Sequence, residues 1–140
     1  MYKILEHTAD AKFKAEGETL EDAFTEVVEA FAEVVGTPRI EDEDDDSETD
    51  VGIAVESENL EALVFDFLDR LIYTQDVEGV AVVESKDLTV DETDSGYSLE
   101  AVLKTVPITG GLTDIKAPTY NDMRVEETNS GWLIQAVLDI

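Results

Sequence analysis

Every apolar stripe in this chain has to be found against a background of carboxylates. Asp and Glu number 35 against 9 Lys and Arg, a formal charge of −26 on 140 residues. At ordinary ionic strength that charge strains any compact state by self-repulsion. The chain folds only if its apolar residues gather on a few faces and its acids stay in solvent. The composition allows this, because 43 % of residues are apolar, enough for the core of one ordinary domain. Residues 1–140 are therefore read as a single domain.

The same charge excludes whole classes of function. Nucleic-acid binding draws on Lys and Arg that release counterions from phosphates, and this surface repels them. An anionic membrane surface is disfavoured for the same reason. There is no Cys and one His, which removes disulfides, thiolate metal sites, cysteine nucleophiles and the usual zinc-hydrolase ligand sets. No run of about 18 apolar residues is present to span a membrane, and the start, Met1 to His7, lacks the apolar core of a signal peptide. The expected location is cytoplasmic. In molar salt the Debye length falls to about 3 Å and most of the repulsion is screened, so the acid excess reads as adaptation to a halophilic, salt-filled cytoplasm.

Local patterns give the elements. Residues 2–5 and 11–15 read as short strands, the second with Ala11, Phe13 and Ala15 alternating with Lys12 and Lys14. Thr19 is an N-cap for a helix through Val35, whose Leu20, Ala23, Phe24, Val27, Val28, Phe31 and Val35 form one stripe. Gly36 suits the C′ position. Residues 39–50 are an acid run that reads as a solvated loop. Val51, Ile53 and Val55 alternate as a strand. A second helix starts after Ser57 or Asn59 and carries Leu60, Leu63, Val64, Phe67, Leu68, Leu71 and Ile72 to an end near Tyr73. Strands follow over 80–84, 97–106, 123–127 and 132–138, with extended chain at Leu88 and Val90. Asn129-Ser130-Gly131 is a hairpin turn. The class is α+β: a largely antiparallel or mixed sheet with two amphipathic helices on one face. The order of elements has a weak twofold echo, without a repeat in the residues to support it.

Three stretches carry candidate chemistry. His7-Thr8-Ala9-Asp10 lies between two short strands, but Thr8 and His7 point to opposite faces of an extended chain, so no nucleophile–base pair forms there. The chain ends on an apolar strand followed by Asp139 and Ile140. If Ile140 packs as core, its carboxylate and that of Asp139 stand together. A third carboxylate such as Asp10 would complete a hard oxygen site for Ca²⁺ or Mg²⁺. Lys116 sits between Ile115 and Ala117 in a chain with few Lys. The acid runs are not EF-hands. Asp42, Asp44 and Asp46 fit the first three ligand positions, but Ser47 stands where Gly is needed and Ile53 where Glu is needed. The run from Asp91 places Val102 at the last position.

Taken together, His7-Thr-Ala-Asp10, Gly17-Glu-Thr-Leu20, Lys116-Ala-x-Thr-Tyr120, Trp132 and the terminal Val137-Leu-Asp-Ile140 resemble the archease family over the whole length. The resemblance implies a small cytoplasmic protein that assists an RtcB-type tRNA-splicing ligase. Such proteins promote guanylylation by GTP and multiple turnover, and bind a divalent metal, calcium by expectation. The implied metal ligands are Asp10, Asp139 and Ile140. The implied functional Lys is Lys116, with His7 and Tyr120 as helpers. Three positions depart from the family pattern. Thr109-Gly110-Gly111 stands where many members have His-Pro, Asn121 where many have His, and Pro118 replaces a small apolar residue.

No nucleophile elbow or phosphate-binding Gly loop is present, so the expected role is activation of a partner, not catalysis. Two other classes remain as alternatives: an acidic metal-binding chaperone or interaction module without ligase specificity, and a stand-alone metal-dependent hydrolase using Asp10 and Asp139. Phosphoester turnover without a ligase would single out the last.

Overall fold

The computed structural model describes residues 1–5, 10–37, 48–108 and 110–140. His7, the acid run from Arg39 to Ser47 and Thr109 lie outside these residues. The elements are β1 (Tyr2–Leu5), β2 (Asp10–Gly17), α1 (Leu20–Val35), β3 (Thr49–Ser57), α2 (Leu60–Glu78), β4 (Val80–Thr93), β5 (Gly96–Pro107), β6 (Ala117–Thr128) and β7 (Gly131–Asp139). The α+β class is as the pattern predicts. Instead of one sheet the described residues form two, ordered β1-β2-β7-β6 and β3-β5-β4. Every pairing is antiparallel, so nothing in them is mixed.

The first helix follows its local signals. The Thr19 side chain accepts from the Asp22 N–H, and Gly36 takes a left-handed conformation after the last turn. In the second, Asn59 is the cap and accepts from the Ala62 N–H. The other candidate, Ser57, donates instead to the Asp66 carboxylate at 2.6 Å. The helix outruns its expected end at Tyr73 and stops at Gly79, which is left-handed (φ 65°). Its apolar stripe ends at Ile72, but the last turn is tied down from outside, where the Val82 N–H donates to Gln75 Oε1 at 2.9 Å. The two helices meet through Phe24 and Phe67, both fully buried, with rings edge to face at 5.5 Å and 82°. Each helix touches both sheets, α1 lying against β2 and β4 and α2 against β3 and β6. Walking round the core, one passes β2-β7-β6, then α2, then β3-β5-β4, then α1 back to β2. Among the described residues no helix is long and apolar enough to cross a membrane.

Most strands extend beyond their expected bounds, β4 from Val80 through to Thr93, and in two the cause is visible. The acid loop is corrected at its end, because β3 already begins at Thr49. The Thr105 hydroxyl donates to the Thr49 carbonyl at 2.8 Å. Asp50 and Glu48 are held by Lys86 at 2.7 Å and Lys104 at 3.5 Å, so scarce cations make this stretch packable. Strand β6 begins at Ala117 instead of Met123. Pro118 is tolerated there because β6 is the edge of its sheet, where a missing N–H costs little.

The twofold echo is a true repeat. Strand order β2-β7-β6 matches β3-β5-β4. Gly17 pairs with Trp132 as Ser57 pairs with Tyr97, and Asp10 faces Asp139 as Asp50 faces Lys104. Once aligned by register, the residues agree. EGETLE (16–21) matches ESENLE (56–61), and DLTVDETDSGY (87–97) matches DMRVEETNSGW (122–132). The second unit, β3-α2-β4-β5, sits inside the first, between α1 and β6. In each unit a hairpin glycine lies on the strand-to-helix junction. A Cβ on Gly131 would stand 2.1 Å from the Gly17 carbonyl oxygen, and one on Gly96 would stand 2.1 Å from that of Ser57.

One packed carboxylate works against the fold. Glu29 on α1 is half-buried, and that burial, with the charges of Glu26 and Glu84, holds its carboxyl above the usual carboxylate range. A carboxyl whose folded pKa is raised contributes stability below its unfolded pKa and loses it as pH rises through the folded value. At neutral pH it is therefore a net cost. Glu29→Gln should raise the melting temperature at pH 7 by about 1–3 °C, well under 1 kcal/mol after solvent screening. The gain should vanish by about pH 3, where the native carboxyl is neutral in both states. Thermal melts of both proteins at the two pH values check this.

Candidate functional site

Strand register decides which of the sequence candidates meet. In β2, Phe13 and Ala15 face the core, so Asp10, Lys12 and Lys14 share the other face. In β7, Ile134, Ala136 and Leu138 face the core and Gln135, Val137 and Asp139 lie on the opposite face. Asp10 is the direct cross-strand partner of Asp139. On the other side of β7, Ala117 is paired with Asp139. The Lys116 N–H donates to the Asp139 carbonyl at 2.8 Å. Continuing that register by one residue sets Lys116 across from Ile140. Three of the expected ligands and the expected Lys thus come from the ends of three adjacent strands.

Two carboxylates directly opposite on one face repel each other, and here they sit in a chain already at −26. The second half of the repeat shows how the fold neutralises that position from within. There the register puts Lys104 between Asp50 and Glu84. Its ammonium lies 3.5 Å from Glu48 and 3.5 Å from Glu84, and Lys86 reaches Asp50 at 2.7 Å. The Glu48 carboxylate, more than any other group, holds the Lys104 ammonium above its ordinary pKa. In the first half Asp139 stands at the place of Lys104.

Other expectations fare differently. Ile140 is 44 % exposed and does not pack as core; with Asp139 also exposed, the apolar packing of β7 ends at Leu138. Among the described residues no group of three or more His, Asp and Glu side chains gathers as a metal cage. The donors at this edge are the two Asp side chains and the backbone oxygens of Ile140, an all-oxygen set of the kind that suits a hard divalent cation. Lys116 is exposed and forms no ion pair among the described residues. Tyr120 lies on the helix side of β6, its ring stacked on Phe65 of α2 at 4.5 Å and 8°. Burial, and then the Asp66 charge, push its phenol above the ordinary value. His7 lies outside the described residues.

Sequence reasoning missed Gln135 and Asp122. Gln135 is buried, and its Nε2 donates to the Asp122 carbonyl at 2.6 Å. Lys12 approaches the Asp122 carboxylate at 3.6 Å. The available signal was a lone amide in an otherwise apolar strand.

The chain resembles known proteins over its length. The family model described as "Archease protein family (MTH1598/TM1083)" matches residues 2–140. Protein archease of Methanosarcina mazei is 36 % identical over 124 residues, covering 86 % of this chain and 82 % of that protein. Protein archease of Pyrobaculum neutrophilum is 38 % identical over 103 residues, covering 73 % and 66 %. Two solved structures share the fold. The solution structure of Methanobacterium thermoautotrophicum protein 1598 has a TM-score of 0.69 and 23 % identity, over 99 % of this chain and 98 % of that one. The crystal structure of an archease, described as a possible chaperone, from Thermotoga maritima has a TM-score of 0.62 and 22 % identity, over 100 % and 98 %.

Proposed function

The chain belongs to the archease family, and from that premise we propose that it activates an RtcB-type tRNA-splicing ligase in the cytoplasm, promoting guanylylation of the ligase by GTP and its multiple turnover. In this reading the protein is not itself an enzyme. It holds a divalent cation, calcium by preference, through the carboxylates of Asp10 and Asp139 and an oxygen of Ile140. Lys116 presents the activating positive charge, with Tyr120 and His7 as helper residues.

The observation that carries the cation assignment is the Asp10–Asp139 register, seen against its counterpart, Asp50–Lys104. In one half of the repeat a Lys stands opposite this Asp. In the other a second carboxylate does, and paired carboxylate oxygens are donors of the kind a hard divalent cation takes. When bound, such an ion supplies a focused positive charge for phosphate or carboxylate oxygens. The residues of this chain do the rest. Asp10 and Asp139 fix the place of that charge at the end of a rigid three-strand edge. Lys116, anchored through its backbone to Asp139, adds a second, mobile positive charge about one residue away. Guanylylation is an in-line phosphoryl transfer governed by positioning and charge, so a preset pair of charges is the form of help it can accept.

The test is transfer of labelled GMP from GTP to the cognate ligase over many turnovers, in about molar KCl so that the acidic surface is screened. Acceleration by this protein is the expected result. An unchanged rate overturns the reading and leaves the acidic metal-binding chaperone in its place.

A further inference from the structure

Strand β6 leaves regular pairing between Thr119 and Arg124, and Asp122 within that break is left-handed, with φ 57°. Strand β4 has a shorter break at the corresponding place, between Lys86 and Thr89, around Asp87 with φ 53°. The repeat makes the two left-handed Asp residues equivalent, but residues 120–123 stand opposite Ala136 in β6 and only residues 87–88 opposite Ala101 in β4. They are held differently. In β6 the Asn121 N–H donates to Thr119 Oγ1 at 3.1 Å, Lys12 lies 3.6 Å from the Asp122 carboxylate, and the buried Gln135 amide donates to the Asp122 carbonyl at 2.6 Å. The residue paired with Arg124 is Gln135; its counterpart, paired with Thr89, is Glu100. Glu100 is exposed, and an ionised carboxylate has no hydrogen to donate. The left-handed Asp therefore forms without this amide in one half of the molecule, where the break in pairing is the shorter one.

The chain beyond the bulge differs as well. In the first half it leads through Tyr120, stacked on Phe65, to Lys116 at the Asp10–Asp139 edge. We propose that Gln135 is a positioning residue: by gripping the Asp122 carbonyl it fixes the register of Ala117–Thr119 on β7, and so sets Lys116 beside the cation site and Tyr120 against Phe65. On an edge strand, register is otherwise weakly held, and a one-residue slip turns every side chain to the other face. This inference rests on the reading of Lys116 as the activating charge. Cation binding itself depends on the β2–β7 pairing, which Gln135 does not set.

Gln135→Glu, which installs the residue of the other half, and Gln135→Met, a donor-free isostere, separate these roles. Three quantities are read on each full-length variant: the ring-current shift of the Tyr120 ring protons by NMR, Ca²⁺ affinity, and acceleration of GMP transfer. The expected result is loss of the Tyr120 shift, Ca²⁺ affinity within about twofold of native, and activation reduced about tenfold or more, the scale of a misplacement near 1 Å. An unchanged Tyr120 shift, or unchanged activation, overturns the proposal. So does loss of Ca²⁺ affinity together with activation, which would make Gln135 a general support of the sheet. If the native protein does not activate the ligase at all, the functional reading fails, while the Tyr120 shift still decides whether Gln135 sets the register.

Discussion

Asp10→Asn should abolish specific Ca²⁺ binding and return GMP transfer to the rate of the ligase alone. The substitution keeps the shape of the side chain and removes its charge, so the β2–β7 pairing survives and only the donor set is impaired. Loss of an outer-shell partner typically costs 10–100-fold in metal affinity. Loss of one of two carboxylate ligands should cost at least about 100-fold on that scale. Calorimetry in about molar KCl measures this without the diffuse ion binding that a −26 surface invites at low salt. Lys116→Ala is the companion. It should leave Ca²⁺ affinity within about twofold, since it supplies no oxygen donor from its side chain, and still lose activation. If Asp10→Asn loses the ion and keeps activation, the cation has no part in the mechanism. If Lys116→Ala activates as well as native protein, the second charge has none.

Gly131→Ala should be among the most destabilising single-methyl changes in the molecule, about 3 kcal/mol or more. Its φ of 147° is one that side chains avoid, and the added Cβ would lie 2.1 Å from the Gly17 carbonyl oxygen and 2.8 Å from the Glu18 Cα. Both neighbours are backbone, so the hairpin must lift away from the start of α1. Gly36→Ala is the control. Gly36 is also left-handed, at φ 89°, but a Cβ there meets nothing within 4 Å, so only the conformational cost of about 1–2 kcal/mol applies. Gly96→Ala should match Gly131→Ala, because it packs the same way on Ser57 and Glu58. Denaturant unfolding in molar KCl ranks the three. Equal losses at Gly131 and Gly36 would mean that the close approach contributes nothing.

How much of this was legible in the residues follows from how local each signal is. Helix α1 was readable end to end, because Thr19 and Gly36 act within one turn of the helix they bound. The end of α2 was not, because its last turn depends on Gln75 meeting Val82 of the next strand. The Asp10–Asp139 pair came from a family resemblance and from the chemistry of carboxylates. Composition alone favours a solvated terminus, and only the register shows the two acids opposite each other. The split into two sheets was hidden because one unit is threaded through the other. The repeat was hidden for a related reason: its two matching segments keep different spacings along the chain, and they align only when strands are superposed. Gln135 looked like an interruption in an apolar strand until its partner, the Asp122 carbonyl, was in place.

The nesting of one unit inside the other sets the order in which the molecule can be finished. Strands β3 to β5 and helix α2 are contiguous, and their contacts span less chain than those that join β2 to β7, so they can assemble while synthesis is still under way. Strand β2 has to wait for β7, its partner from the far end of the sequence, and bringing such distant segments together is the slow step in topologies of this kind. The facing carboxylates of Asp10 and Asp139 therefore come into being last. A nascent or partly folded chain owns both carboxylates but not their juxtaposition, which exists only once β2 and β7 are paired.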